Sequence, residues 1–161
     1  MNRTTLRLSL ALAAVLAAGA ARAATESAQF TVTATVVKTC RISADATVPV
    51  GNYDPFATTD ATSGAGTVTV TCTKGGGYTL TIDKGSHEGG TGARRMTDGT
   101  EFLAYELYSD VGATAAWSAP LTVIAATGMA GDDHVVVAKV PAGQDVSVGS
   151  YSDTVTATVD F

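Results

Sequence analysis

Polar and apolar residues alternate without a break from Gln29 to Val36, a run that reads Gln-Phe-Thr-Val-Thr-Ala-Thr-Val. An extended chain points alternate side chains to opposite faces. Phe30, Val32, Ala34 and Val36 therefore form one apolar row, and Gln29, Thr31, Thr33 and Thr35 one polar row. The same pattern closes the chain, where Val155, Ala157, Val159 and Phe161 share a face of the run Tyr151 to Phe161. Both ends predict strands, and what each pairs with is the functional question.

The chain between them is a series of shorter alternations. Cys40, Ile42 and Ala44, then Val48 and Val50, predict a strand interrupted at Pro49, before Gly51-Asn-Tyr-Asp-Pro55 turns. Ala57 to Gly66 reads as a solvated loop. Thr67 to Thr73 predicts a strand with Val68, Val70 and Cys72 inward, built largely of β-branched residues that suit a pleated surface and are stiff in a helix. Lys74-Gly-Gly-Gly77 ends it. Without the order Gly-x-x-x-x-Gly-Lys, or a helical period after it, this cluster reads as a turn and not a phosphate loop.

Tyr78, Leu80 and Ile82 give a third strand, followed by the segment Lys84 to Gly92, which looks too rich in glycine to pack. Arg94-Arg95-Met96 predicts a short strand, Asp98-Gly99 a tight turn, and Phe102 to Tyr108 the strand that returns. Leu121, Val123 and Ala125 alternate briefly, and Gly128 to Asp133 reads as a break. His134 to Val140 is a β-rich run stopped by Pro141, and Gly149 and Tyr151 open the final strand. Beyond the first two dozen residues no window shows a 3.6-residue period. About seven short strands separated by turn residues predict an all-β sandwich.

Composition changes this picture at the N-terminus first. Arg3 and Arg7, an apolar run from Leu8 to Ala18 and the small residues of Ala21-Arg22-Ala23 are the three parts of a secretory signal, with cleavage expected after Ala23. The apolar run is shorter than the roughly 20 residues that span a bilayer, which argues against a membrane anchor. Removing residues 1–23 leaves 138 residues, a single-domain size. Seven of the ten basic residues then face fifteen acidic ones, a formal charge of −8. Nucleic acid and anionic membranes require Lys/Arg clusters, so neither is an expected partner.

Cys40 and Cys72 are the two cysteines. In an oxidising compartment they most simply form one structural disulfide across 32 residues of sequence. A redox or metal role lacks both a Cys-x-x-Cys and a nearby His. His87 stands in the glycine-rich loop. His134 follows Asp132-Asp133, but neighbours in a strand point to opposite faces, so the triplet is a poor metal site. No Gly-x-Ser-x-Gly, no free cysteine and no His among suitable partners suggest catalysis, and no cofactor is expected. Arg94-Arg95 reads as a doublet paired with surface carboxylates. Trp117 reads equally as a binding aromatic or as a plug at one end of the sandwich.

Taken in order, several segments resemble one known family. They are Thr39-Cys-Arg-Ile-Ser43, Gly51-Asn-Tyr-Asp-Pro55, Val68-Thr-Val-Thr-Cys72, Arg95-Met96, Leu103-Ala-Tyr-Glu-Leu-Tyr-Ser-Asp110, Trp117, Val140-Pro-Ala-Gly-Gln144 and Gly149-Ser-Tyr-Ser-Asp-Thr-Val155 with the closing Val159-Asp-Phe161. The family is the spore coat protein U domain, which includes the Csu-type pilins of archaic chaperone-usher pili.

The resemblance implies an incomplete immunoglobulin-like β-sandwich that lacks its last strand and leaves a hydrophobic groove open. It implies a division into a signal peptide (1–23), an N-terminal donor-strand extension (24–37) and a pilin domain (38–161). Phe30, Val32, Ala34 and Val36 would be the donor row. Val155, Ala157, Val159 and Phe161 would form the C-terminal strand that borders the groove and meets a chaperone. The implied partners are other pilus subunits, a periplasmic chaperone and an outer-membrane usher. The implied product is a surface fibre, exported through the periplasm, that serves adhesion or biofilm formation. The alternative within the same family is a self-contained coat or matrix protein whose N-terminal strand folds into its own sandwich and does not polymerise.

Overall fold

The structure is a computed structural model that describes residues 23–90 and 92–161. Apart from Ala23, the expected signal peptide lies outside the described residues. The chain divides into two compact units between Ala34 and Thr35. In the unit from Thr35 to Phe161 the alternating segments become nine strands, two more than the pattern predicts: β1 (Cys40–Ala44), β2 (Ala61–Thr62), β3 (Gly66–Cys72), β4 (Tyr78–Ile82), β5 (Arg94–Thr97), β6 (Phe102–Tyr108), β7 (Leu121–Val123), β8 (Asp132–Val140) and β9 (Ala157–Asp160). No helix occurs among the described residues, so none there is long and apolar enough to cross a membrane.

Two antiparallel sheets form. One runs β1-β3-β8-β6-β5, with β2 also on β8; the other runs β7-β4-β9. β3 shows why alternation makes a sheet. Gly66, Val68, Val70 and Cys72 are buried while the threonines between them are half-buried, so one row enters the core and the other keeps its hydroxyls near water. Leu80, Leu103, Tyr105, Leu107, Val136 and Val140 join that row in one core. Cys40 and Cys72 are register partners at one end of the β1–β3 ladder and are joined by a disulfide.

Several expectations are corrected. Asp132 and Asp133, read as part of a break, open β8 opposite Val70 and Thr69. Asp133 accepts a hydrogen bond from the Thr69 hydroxyl at 2.7 Å, a side-chain link that supplies what an apolar pattern lacks. The closing strand is shorter than Tyr151–Phe161: its ladder begins at Ala157, and Phe161 is 57% exposed. β7 stops at Val123. Ile42 faces solvent at 36% exposure although it belongs to an apolar row. The glycine-rich segment after β4 does pack, burying Gly89.

The largest correction is Arg94, which is buried entirely and does not lie on the surface. Its guanidinium donates to the carbonyls of Asp83 at 2.8 and 3.1 Å and of Trp117 at 3.3 Å, and pairs with Glu106. Arg95 instead lies over the Phe102 ring, 4.0 Å from its centroid. Trp117 resolves as a plug: it is buried, and its indole N–H donates to the Val135 carbonyl at 3.1 Å.

Candidate functional site

β1 ends one sheet and β9 ends the other, and a groove of about 1080 Å³ opens beside them, lined by residues from Ala44 on one side to Ala157 on the other. Its floor is the core itself: Val68, Leu103, Leu107, Val136 and Val140 line it. One wall is the irregular chain after β1, with Val48, Val50 and Tyr53; the other is the chain before β9, with Val146, Tyr151 and Val155. Val48 sits so close over β3 that a Cβ on Gly66 would lie 2.7 Å from its Cγ2. The absence of a side chain at Gly66 is what lets this wall lean against the sheet.

Both walls lack a continuous ladder, and side chains together with scattered backbone bonds fasten them instead. Tyr53 donates its hydroxyl to the Pro141 carbonyl at 3.0 Å and accepts from the Gln144 N–H at 2.8 Å. The Gln144 amide then pairs with the Ala104 peptide in both directions, at 2.8 and 2.9 Å, as a strand residue would beside β6. Thr97 and Ser152 exchange backbone hydrogen bonds of 3.0 Å at the edge of β5.

Asp153 is the polar anchor of the second wall. Its carboxylate is 2% exposed, accepts from the Tyr105 hydroxyl at 2.7 Å and faces His87 Nδ1 at 2.9 Å. Burial and this carboxylate push the Tyr105 phenol well above its ordinary range. A Cβ on Gly85, whose φ is +82°, would fall 2.0 Å from Asp153 Oδ2, so glycine is required for the approach.

The other titratable cluster lies away from the groove. Asp132 and His134 share a face of β8, and the Tyr78 hydroxyl lies 3.1 Å from Asp132 Oδ2 and 2.7 Å from His134 Nε2. Burial, helped by Asp132, pushes Tyr78 up to about 12, and burial pushes His134 down. Asp133 points the other way, to Thr69. Among the described residues no three His, Cys, Asp or Glu side chains are grouped to hold a metal.

Of the residues singled out in the sequence, Val155 and Ala157 line the groove. Val159 packs on the core beyond it, and Phe161 is exposed. Gln29 to Val36 carries no ladder among the described residues, and Phe30, Val32 and Val36 are 87%, 82% and 80% exposed. Sequence reasoning did not identify the groove walls at Tyr53 and Val146. The signals available were the Val48/Val50 alternation and the turn that holds Tyr53.

Residues 26–158 match the Spore Coat Protein U domain family. Protein U of Myxococcus xanthus is 35% identical over 175 residues, spanning 99% of this chain and 98% of that protein. In fold, the chain is similar to a crystal structure from Acinetobacter baumannii of the CsuC-CsuE chaperone-tip adhesion subunit pre-assembly complex of archaic chaperone-usher Csu pili. The TM-score is 0.56 at 22% identity, covering 79% of this chain. This chain spans 40% of the length of the matched one. What the two share at that identity is the fold.

Proposed function

The chain belongs to the Spore Coat Protein U domain family, and on that premise we propose that it is a secreted structural subunit of a surface pilus. Its N-terminal extension (24–37) completes the groove of a neighbouring copy of the domain that follows (38–161). A periplasmic chaperone occupies the groove before assembly, and an outer-membrane usher receives the subunit. The fibre serves adhesion or biofilm formation.

The observation that carries this reading is the groove itself: its floor is the apolar core, and its two walls, the chain after β1 and the chain before β9, lack a continuous ladder. A strand added there pairs its main chain with an open edge and sets alternate side chains on the floor. The row Phe30, Val32, Ala34 and Val36 has that period, and three of its four members are large and exposed. Full burial of Phe30, Val32 and Val36 would contribute roughly 1.5–3 kcal/mol each, with Ala34 adding less. A strand and a groove at different places on one chain make a heterologous contact, which propagates into an open polymer.

Deleting residues 24–36 tests the reading. The expected product is a folded subunit held by its chaperone, with no fibres in negative-stain images of the exported material. Fibres of normal length from the deletion would overturn it. A full-length protein that purifies as a stable monomer without a chaperone would support the self-contained coat protein instead.

A further inference from the structure

Residues 35–39, which precede β1, belong to the same unit as the sandwich. The Thr73 N–H donates to the Thr39 carbonyl at 2.9 Å, which carries the β1–β3 ladder past Cys40↔Cys72. The Thr73 hydroxyl accepts from the Thr39 N–H at 3.1 Å and donates to the Val37 carbonyl at 3.0 Å. Lys38 lies over the turn that follows β3, where a Cβ on Gly76 would be 3.3 Å from its Cγ. The root of the N-terminal run is thus held on the β3 side of β1 and directed away from Ala44, where the groove lining begins.

The other edge of β1 is open, because β1 ends its sheet. Thr39 and Asp45 bond to Thr73 and Thr67, and bonded and non-bonded pairs alternate along an antiparallel ladder. Cys40, Ile42 and Ala44 therefore turn their N–H and C=O groups to the free edge. A reversal over residues 37–39 would lay the donor row along that edge, with Val36 opposite Cys40, Ala34 opposite Ile42 and Val32 opposite Ala44. Partners in such a pair share a face, so the row would join the inner row of β1. Val32 and Phe30 would then reach the groove residues Ala44 and Ala46. A loop one residue shorter would turn the row to the outer face. The strand next to β1 in sequence is thus one that fits the edge of its own groove.

Two features oppose that closure. A three-residue hairpin loop places its last residue in the left-handed region, where glycine is favoured, and here that residue is the β-branched Thr39. The reversal would also break the bonds that Thr73 makes to Thr39 and Val37. We infer, on the fibre reading above, that Thr73 is a positioning residue for assembly. Its hydroxyl holds residues 37–39 straight, keeps the donor row out of its own groove and leaves it for a neighbour's. The choice between a fibre and a self-closed monomer is then set at the root of the extension, not in the donor row.

Refolding the full mature chain over a range of concentrations tests it, because closure within one chain is independent of concentration and joining to a neighbour is not. Sedimentation gives the polymer fraction. Hydrogen exchange of the Ile42 and Ala44 amides in the unassembled fraction reports whether the free edge of β1 is covered. The wild-type chain should assemble as concentration rises, with both amides exchanging freely before it does. T73V should raise the concentration for half-assembly about tenfold, and T73S, which keeps the hydroxyl, should match the wild type within about threefold. T39G/T73V should stay monomeric where the wild type has assembled, with both amides protected. If T73V and T39G/T73V assemble like the wild type with both amides free, the clamp is overturned and the fibre reading stands. A wild-type chain that is monomeric at every concentration overturns the fibre reading; protected amides in it overturn the clamp as well, and free ones uphold it. Should a variant fail to fold, exchange in the wild-type chain before assembly still decides, since protection of Ile42 and Ala44 there overturns the clamp.

Discussion

Gln29–Val36 and Gly66–Cys72 are written in the same alphabet, threonine alternating with small or branched apolar residues, yet they end in opposite surroundings. Along β3 every apolar residue is buried, because β1 and β8 flank it and the second sheet covers its inner face. Along the N-terminal run the apolar row is exposed throughout. The contrast teaches that alternation specifies a half-buried strand without specifying which chain supplies the burying half. It also separates two kinds of energy: the β3 row stabilises this fold, whereas the Phe30 row is free to stabilise something else.

Breaking the closed side should give the largest effect. Arg94→Ala removes a fully buried charged side chain and leaves three carbonyls and Glu106 without their donor. The expected loss is about 3–5 kcal/mol in urea denaturation. A loss below about 1 kcal/mol would mean that water replaces the guanidinium easily.

Next comes the disulfide, which ties an edge strand of the groove to β3. Replacing Cys40 and Cys72 by alanine should cost roughly 3–4 kcal/mol on the chain-entropy model for a 32-residue separation. The urea midpoint of the double variant, compared with that of the oxidised parent, measures it. A midpoint unchanged by the substitution would show that the β1–β3 ladder holds without the crosslink.

Which of these features could be read from the chain follows from what made them. β3, β4 and the β5–β6 hairpin were legible because one face of each meets the core, and period two records that directly. β8 was legible from His134 onward but not at Asp132, since its first residues are held by hydroxyl–carboxylate bonds to Tyr78 and Thr69 and not by burial. Arg94 was illegible as a buried residue for a related reason. Charge reads as surface, and only its place two residues before the half-buried Met96 hinted at the inward row. The groove left little mark in the residue pattern beyond the Val48/Val50 alternation and the turn at Tyr53, and was expected only through the family resemblance, because it is the place where a strand is missing. A sequence records the strands it has.

Val70→Ala should destabilise the isolated chain by about 1.5–3 kcal/mol, the burial value of a valine that is 0% exposed. This variant measures the β3 side of the comparison. A thermal melt that matches the parent would show that the row is not tightly packed.

Acid acts more gradually. Burial alone would raise the Asp83 carboxyl, but N–H donors from Thr156 and Gly85, with Arg94 nearby, bring it below the usual range. Asp110 is lowered mainly by the Ala115 N–H, with the Thr114 N–H adding to it. Groups depressed in the fold add stability that is present above their unfolded values near pH 4 and is lost as pH falls through the folded ones. His134, pushed down by burial, adds an earlier and shallower limb of the same sign, beginning below its unfolded value of about 6.5. The urea midpoint should therefore decline slightly below pH 6.5 and more steeply below 4, and His134→Gln should remove the first limb alone. A midpoint flat to pH 3 would contradict both.

The smallest effect on the isolated chain is the most informative one. Val32 is 82% exposed, so Val32→Ala gives up almost no buried area and should change the melting free energy by less than about 0.5 kcal/mol. In a polymer the same side chain would lie on an apolar floor, and the same substitution should weaken the joint by about 1–3 kcal/mol, read as faster subunit exchange between fibres. Val70→Ala should do the reverse, costing fold stability in the monomer and changing exchange only through it. If Val32→Ala destabilises the monomer as much as Val70→Ala does, the N-terminal row is buried in its own domain, and the difference between the two alternations disappears.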